Sequence, residues 1–313
     1  MDVSIILVNY KTKDITINCI KSIIDKTKNI EYEIILVDNN SKDGTVEEVK
    51  KQLPSVKIIE NNENLGFAKG CNIGIDNSKG KYILFLNTDT ILVENTIKIL
   101  YDFMERNKDF GVIGTLLTDE NDKLVQSWGK FLPFKRGFKE FVIKPFLPRK
   151  IKSKITSKVE GRYYYDFEKE FFKDKEYIEV DYIIGADMFV RGGLAREIKF
   201  NDEYFMYFEE ADFQLKIRKK GFKIGIIRGS RIIHLESKSF KISNAKRTMK
   251  MVSFLKYLKN NYLPIYIIYK PLSLIYGFTK TIFDLFIKEY TFKENIIFTK
   301  SLLLETYELV KKQ

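Results

Sequence analysis

The chain has 313 residues, 44% of them hydrophobic and 31% charged, which is enough apolar material for one large domain with an appendage or for two domains. Its formal charge of +12 is uneven, because residues 238–313 hold fourteen Lys and Arg against five Asp and Glu, a net +9. Two cysteines exclude a disulfide framework, and no run of 18 uncharged apolar residues is present to span a membrane.

Residues 3–8 read as a strand from the outset, so no cleavable leader is expected. Residues 14–26 then place Ile15, Cys19, Ile20, Ile23 and Ile24 at helical spacing. A second strand over 33–37 ends in the turn-rich stretch 38–45 (DNNSKDGT). Thr45, with Glu48 three residues on, has the form of a capping box opening a helix to Leu53. A short strand at 56–60, a helix over 66–77, a strand over 82–86, a helix over 94–107 and a strand over 112–117 follow. This alternation predicts an α/β, Rossmann-like, mostly parallel sheet with right-handed crossovers. Cys19 and Cys71 both lie in helical patterns and read as core residues of a reducing compartment.

The first glycine is Gly44, so no glycine-rich turn follows the first strand. That excludes the dinucleotide fingerprint and the P-loop, and any phosphate has to be held by other means. Residues 82–86 (YILFL) run unbroken and then switch abruptly to Asn87, Thr88 and Asp89. Polar groups at the carboxyl end of a buried strand lie where open α/β sheets bind ligands. Asn87 and Asp89 would offer oxygen to a hard divalent cation, although a simple helix cap is the plainer reading of the same residues.

Residues 119–179 are irregular, hold Pro133, Pro145 and Pro148 and the only tryptophan, Trp128, and read as a mobile insertion. A strand-like stretch over 182–190 is interrupted by Gly185, Ala186 and Asp187. Residues 205–208 (FMYF) lead into Glu209, Glu210 and Asp212 at a helix start, with more carboxylates than the helix dipole needs. A last strand over 223–233 delivers His234, the only histidine.

Five stretches in this order carry a resemblance: residues 4–10 (SIILVNY), 37–45 (VDNNSKDGT), 64–74 (NLGFAKGCNIG), 86–90 (LNTDT) and 205–221 (FMYFEEADFQLKIRKKG). Together they resemble the family 2 glycosyltransferases with the GT-A (nucleotide-diphospho-sugar transferase) fold, in particular a rhamnosyltransferase-like branch that builds surface polysaccharides. The resemblance covers about residues 1–240, the expected catalytic domain. It implies that Val8, Asn9 and Tyr10 line a base pocket and that Asp38 accepts from the imide N–H of uracil or thymine. A turn cap is the alternative for Asp38. It further implies that Asn64, Gly66 and Lys69 lie over the nucleotide-sugar, with a solvated helix lysine as the alternative for Lys69. Asn87-x-Asp89 stands where the family has Asp-x-Asp, and Asp89 with Asn87 and His234 would hold Mg²⁺ or Mn²⁺. His234 begins a His-x-x-x-x-Ser pattern completed by Ser239. Gly185, Ala186, Asp187 and Asp212 would lie at the acceptor, and Trp128 either stacks on a sugar or packs. The general base would be Glu210, with Glu209 the competing candidate.

Residues 241–313 turn to helices. Met251, Phe254, Leu255 and Leu258 repeat at helical spacing, and residues 262–286 are apolar but interrupted by Pro264, Pro271 and Gly277. This basic amphipathic region suits an anionic membrane interface or, alternatively, packing in a homodimer. The expected protein is an inverting, metal-dependent enzyme, cytoplasmic and peripheral at the inner face of the cell membrane. It would move a sugar from a dTDP- or UDP-sugar to a lipid-linked or oligosaccharide acceptor. A non-catalytic nucleotide-sugar-binding protein is the alternative. A nucleic-acid-binding protein is a further alternative suggested only by the charge, and nucleic acid is not expected as a partner, since the basic residues lie on apolar helices and not on a stacking platform.

Overall fold

The computed structural model describes residues 1–131, 164–235, 244–287 and 291–306. The proline-bearing part of the middle stretch, and Ser239, lie outside these. The chain forms β1 (Val3–Asn9), α1 (Lys13–Lys26), β2 (Tyr32–Asp38), α2 (Thr45–Gln52), β3 (Lys57–Glu60), α3 (Phe67–Asp76), β4 (Tyr82–Leu86), β5 (Thr90–Leu92), α4 (Thr96–Arg106) and β6 (Phe110–Thr118). After these come β7 (Trp128–Gly129), α5 (Tyr164–Phe172), β8 (Tyr177–Glu179), β9 (Tyr182–Ile183), β10 (Asp187–Arg191), α6 (Gly192–Ile198), α7 (Glu209–Lys219) and β11 (Lys223–His234). Three helices close the chain: α8 (Asn244–Asn261), α9 (Leu263–Ile287) and α10 (Phe292–Leu304).

The main sheet runs in the order β3-β2-β1-β4-β10-β6-β11-β5, with β8 also on β11. Strands β3, β2, β1 and β4 pair in parallel, as do β6 and β11, and β10 is antiparallel to both β4 and β6. The inversion of β10 matters for function. Its first residue, Asp187, lies opposite Leu86, so the Gly185–Ala186 corner reaches the same edge as the carboxyl ends of the parallel strands.

Successive strand residues face opposite sides, and both sides are apolar. Ile6, Ile83 and Phe85 pack with Phe213 and Ile217 of α7 in one core. Ile5, Leu7, Leu84 and Leu86 pack with Cys19 of α1 and Phe103 of α4 in the other. Each fully buried side chain of this size stabilises the fold by about 1.5–3 kcal/mol.

Several local expectations are corrected. Thr45 is not a helix cap; Gly44 takes the capping position at φ 82°, and Asp43 Oδ1 accepts from Thr45 N and Oγ1 instead. Helix α4 begins at Thr96, because Glu94 is held by the N–H of Arg231. Prolines do not divide α9, which is continuous through Pro271 with Pro264 in its first turn, where a missing N–H costs little. Gly277 is a contact point rather than a break: a Cβ there would come within 2.9 Å of Thr299 Oγ1 on α10.

Helix α8 is integral to the body. Tyr257 belongs to the core that contains Phe85 and Phe213, and its hydroxyl donates to the Phe131 carbonyl at 2.8 Å. On its other side, Met249, Leu255 and Leu258 pack with Tyr269 and Tyr276 of α9 and with Phe298 and Leu302 of α10.

Candidate active site

At the carboxyl end of β1, Asn9 is fully buried. Its amide nitrogen donates to Asp38 Oδ1 at 2.7 Å and Ser41 Oγ at 2.9 Å, while its oxygen accepts from Thr12 and Thr16. Every polar group of Asn9 is thus spent inside the protein, and it braces the pocket that it was expected to line. Asp38 Oδ1 also accepts from the Ser41 hydroxyl, and Oδ2 from the Ser41 N–H at 2.9 Å. The turn role and the strand-end position of Asp38 therefore coexist. Val8 is half-buried against Gly70, and Tyr10 is exposed.

Asn64 Oδ1 accepts from the N–H of Gly66, which sits at φ 83° where any side chain is strained. A Cβ on Gly66 would also lie 2.4 Å from the Phe205 carbonyl, which accepts from the Phe67 N–H at 2.8 Å. The loop entering α3 is thereby pinned to the aromatic segment 205–208. Lys69 is exposed on α3.

The two expected ligands meet at the end of β4. His234 pairs with Thr90 across β11 and β5, the Leu235 N–H donates to the Asp89 carbonyl at 2.8 Å, and His234 Nε2 lies 3.2 Å from Asp89 Oδ1. Both side chains are largely buried, so the carboxylate and imidazole are aimed at each other at a strand edge with little solvent between them. Asn87, half-buried, donates its N–H to the Ala186 carbonyl at 3.0 Å. A carboxylate oxygen and an imidazole at this separation are groups that could ligate a divalent cation. Among the described residues no group of three His, Cys, Asp or Glu gathers to hold a metal.

Asp187, expected at the acceptor, is buried. It is 0% exposed, and its Oδ2 accepts from the Thr115 N–H at 2.6 Å and the Thr115 hydroxyl at 2.8 Å. Burial pushes its carboxyl up to about 7, against the pull of the Thr115 hydrogen bonds and of nearby His234. Asp212 is likewise turned inward: Oδ1 accepts from Asn261 of α8 at 2.7 Å, and Oδ2 lies 2.8 Å from Lys216 Nζ. Trp128 packs against Phe171, ring centres 4.8 Å apart.

The segment 205–208 presents the two glutamates through an unusual turn. Tyr207 and Phe208 have φ of 72° and 69°, a left-handed conformation that costs aromatic residues energy. Glu209 is buried, and its charge bears on Cys71 of α3, so it points into the body. Burial, and then Glu210, hold its carboxyl well above the ordinary range. Glu210 is half-buried, and a Cβ on Gly185 would lie 3.9 Å from the Glu210 Cβ. Its carboxyl is also raised by burial, opposed by its own backbone N–H and by the cation of Lys250. Gln214 fixes this corner, accepting from the Ile183 N–H at 2.9 Å and donating to the Ile183 carbonyl at 2.7 Å.

The family model described as glycosyl transferase family 2 matches residues 4–168. The chain belongs to that family. A glycosyltransferase of Haemophilus influenzae is 30% identical over 117 residues, 37% of this chain and 36% of that protein. Glycosyltransferase GlyG of Streptococcus pneumoniae is 33% identical over 123 residues, 38% of this chain and 41% of its own length. The chain spans less than half the length of these curated relatives. Among solved structures, GalNAc-T7 with UDP, GalNAc and Mn²⁺ superposes with TM-score 0.57 at 15% identity, over 83% of this chain and 48% of that one. TarS of S. aureus does so with TM-score 0.53 at 14% identity, over 98% and 44%. The fold is GT-A, and this family 2 glycosyltransferase carries in addition a C-terminal helical region.

Residues that the sequence did not single out now stand beside the site: Ser41, Thr115, Gln214 and Lys250. No motif marks Thr115, which lies in the middle of β6, or Lys250, one of five basic residues on α8.

Proposed function

We propose that this glycosyltransferase is inverting and metal-dependent, and that it moves a sugar, rhamnose in the favoured reading, from a dTDP- or UDP-sugar to a hydroxyl of a lipid-linked glycan in cell-surface polysaccharide synthesis. The approach of Asp89 and His234 to 3.2 Å, across 145 residues of sequence, carries the reading. A structure of the same fold has been solved with UDP and Mn²⁺, which supports a nucleotide-sugar donor and a divalent ion. Asp89 and His234, with Asn87 beside them, would hold Mg²⁺ or Mn²⁺, whose charge would offset that of the leaving diphosphate.

Glu210 is the better base of the two glutamates, since it borders the Gly185 corner while Glu209 faces Cys71. Glu210 would take the proton of an acceptor hydroxyl as that oxygen forms the bond to the anomeric carbon and the bond to the diphosphate oxygen breaks on the opposite face. A carboxyl raised by burial is a stronger base once ionised, which suits that transfer. We further place the enzyme at the inner face of the cell membrane. No helix among the described residues is long and apolar enough to cross a membrane. However, α9 and α10 expose Leu263, Ile267, Ile275, Phe278, Phe292 and Leu303, with Lys293 and Lys300 exposed beside them.

Nucleotide release from a panel of UDP- and dTDP-sugars, with Mn²⁺ or Mg²⁺, tests the reading. Asp89→Ala should abolish release and the metal-dependent binding of UDP or dTDP while leaving the circular dichroism spectrum unchanged. Full release by the wild-type protein in excess EDTA would sink the metal role.

A further inference from the structure

The turn that presents Glu210 is held from outside the residues matched by the family model. Toward α3 it is held by a hydrogen bond from the Phe67 N–H to the Phe205 carbonyl. On its other side several contacts come from α8. Ser253 Oγ donates to the Met206 carbonyl at 2.7 Å, and Phe208 packs against Phe254 and Tyr257 with ring centres 5.4 and 5.5 Å away. Lys250 Nζ stands 4.9 Å from the centre of the Tyr207 ring. Lys256 Nζ caps the Glu203 carbonyl at 2.9 Å, and Asn261 holds Asp212 one turn into α7. Two consecutive aromatic residues at positive φ persist only where their surroundings over-determine them. Here α8 supplies several of those contacts.

We propose that α8 is part of the catalytic apparatus: Ser253 and Lys250 are positioning residues that hold the left-handed Tyr207–Phe208 turn from which Glu210 projects. The proposal rests on Glu210 being the base. Lys250 favours the ionised carboxylate, the form that can accept a proton, where burial alone favours the neutral one. The groups that bear on Glu210 are Glu209 on its own helix, Tyr207 on the preceding turn and Lys250 from α8; the Gly185 corner and Phe67 of α3 bring no charge. Lys250 is a cation of α8 whose charge bears on this carboxylate.

The test is carried out on the full chain. With δ-¹³C-labelled glutamate, the Glu210 carboxyl signal is assigned by its disappearance in Glu210→Gln, and its titration is followed by NMR. Lys250→Met should move the midpoint to higher pH, and Lys250→Arg should restore it. In nucleotide release from a UDP- or dTDP-sugar, the acid limb of the pH profile should move the same way, with activity recovering at high pH. Ser253→Ala should lower kcat about 3–10-fold with KM for the donor unchanged, and Ser253→Thr should recover it. An unmoved midpoint in Lys250→Met overturns the Lys250 assignment, even if Glu210→Gln is inactive. Wild-type release by Glu210→Gln would instead overturn the base reading itself.

Discussion

Helices α8 and α9 are neighbours in sequence and in space, and they teach opposite lessons about hydrophobicity. Helix α8 carries five basic residues, yet it buries Met249, Met251, Val252, Phe254, Leu255, Tyr257 and Leu258. Helix α9 is far more apolar, yet it leaves Ile267, Ile275 and Phe278 more than half exposed. The difference is one of position. Helix α8 lies between two surfaces, the segment 205–208 with α7 on one side and α9 with α10 on the other. Lysine stems can lie along such surfaces while their charged ends reach water. Among the described residues, helix α9 packs on α8 and α10 and leaves its other face open. A stripe of large apolar residues on a surface helix marks an interaction face more often than an accident.

If α8 belongs to the catalytic body and α9 and α10 serve an external surface, changes on the two should separate cleanly. The largest effect is expected at the carboxylate that α8 faces. Glu210→Gln, nearly isosteric, should lower nucleotide release by roughly 10²–10⁴-fold with donor affinity kept, while Glu209→Gln does much less. The reverse ranking would transfer the role to Glu209.

Next in size is the packing of α8 itself. Leu255 is fully buried between the two surfaces, and Leu255→Ala should cost about 2–5 kcal/mol, read as a lowered urea midpoint. A loss under about 0.5 kcal/mol would mean that α8 is a loosely attached appendage, as the boundary at residue 240 suggests. In our reading the catalytic domain extends to residue 261.

Asp187 gives a test that depends on pH. Its folded-state carboxyl, up at about 7 through burial, binds a proton that the unfolded chain has already released above about pH 4. Stability linked to this group is complete below about pH 4 and declines as pH rises to about 7, by on the order of a few kcal/mol. Asp187→Asn keeps an oxygen for the two Thr115 donors and should flatten that decline. Parallel stability curves for the two proteins would contradict it.

The smallest effect on stability should come from the open face. Ile267→Ser with Phe278→Ser should change the urea midpoint by less than about 0.5 kcal/mol equivalent. The same change should weaken flotation with anionic vesicles, and flotation of the wild type should fall with salt without vanishing, because the apolar part is not screened. Equal flotation of both proteins would remove α9 as the anchor; a wild-type dimer that ignores vesicles would make this face an interface between copies.

Much of the site was legible because its chemistry is local to strand ends. The run of residues 82–86 into Asn87 and Asp89 marks a buried strand meeting a ligand edge, since a strand buried on both faces has to be apolar throughout and its end is the first place polarity returns. The alternation of strands and helices marked the sheet for the same reason. By itself the sequence also determined the positions of His234 and Glu210, each at the end or start of a regular element. What only the tertiary structure decided is which polar groups are taken up by partners elsewhere in the chain once those ends are brought together. Asn9, Asp187 and Asp212 look available in sequence, yet Ser41, Thr115 and Asn261, up to 72 residues away, occupy them. Only the fold could join α8 to the Glu210 turn, because helical periodicity shows that a face is apolar but carries no information about which surface will cover it.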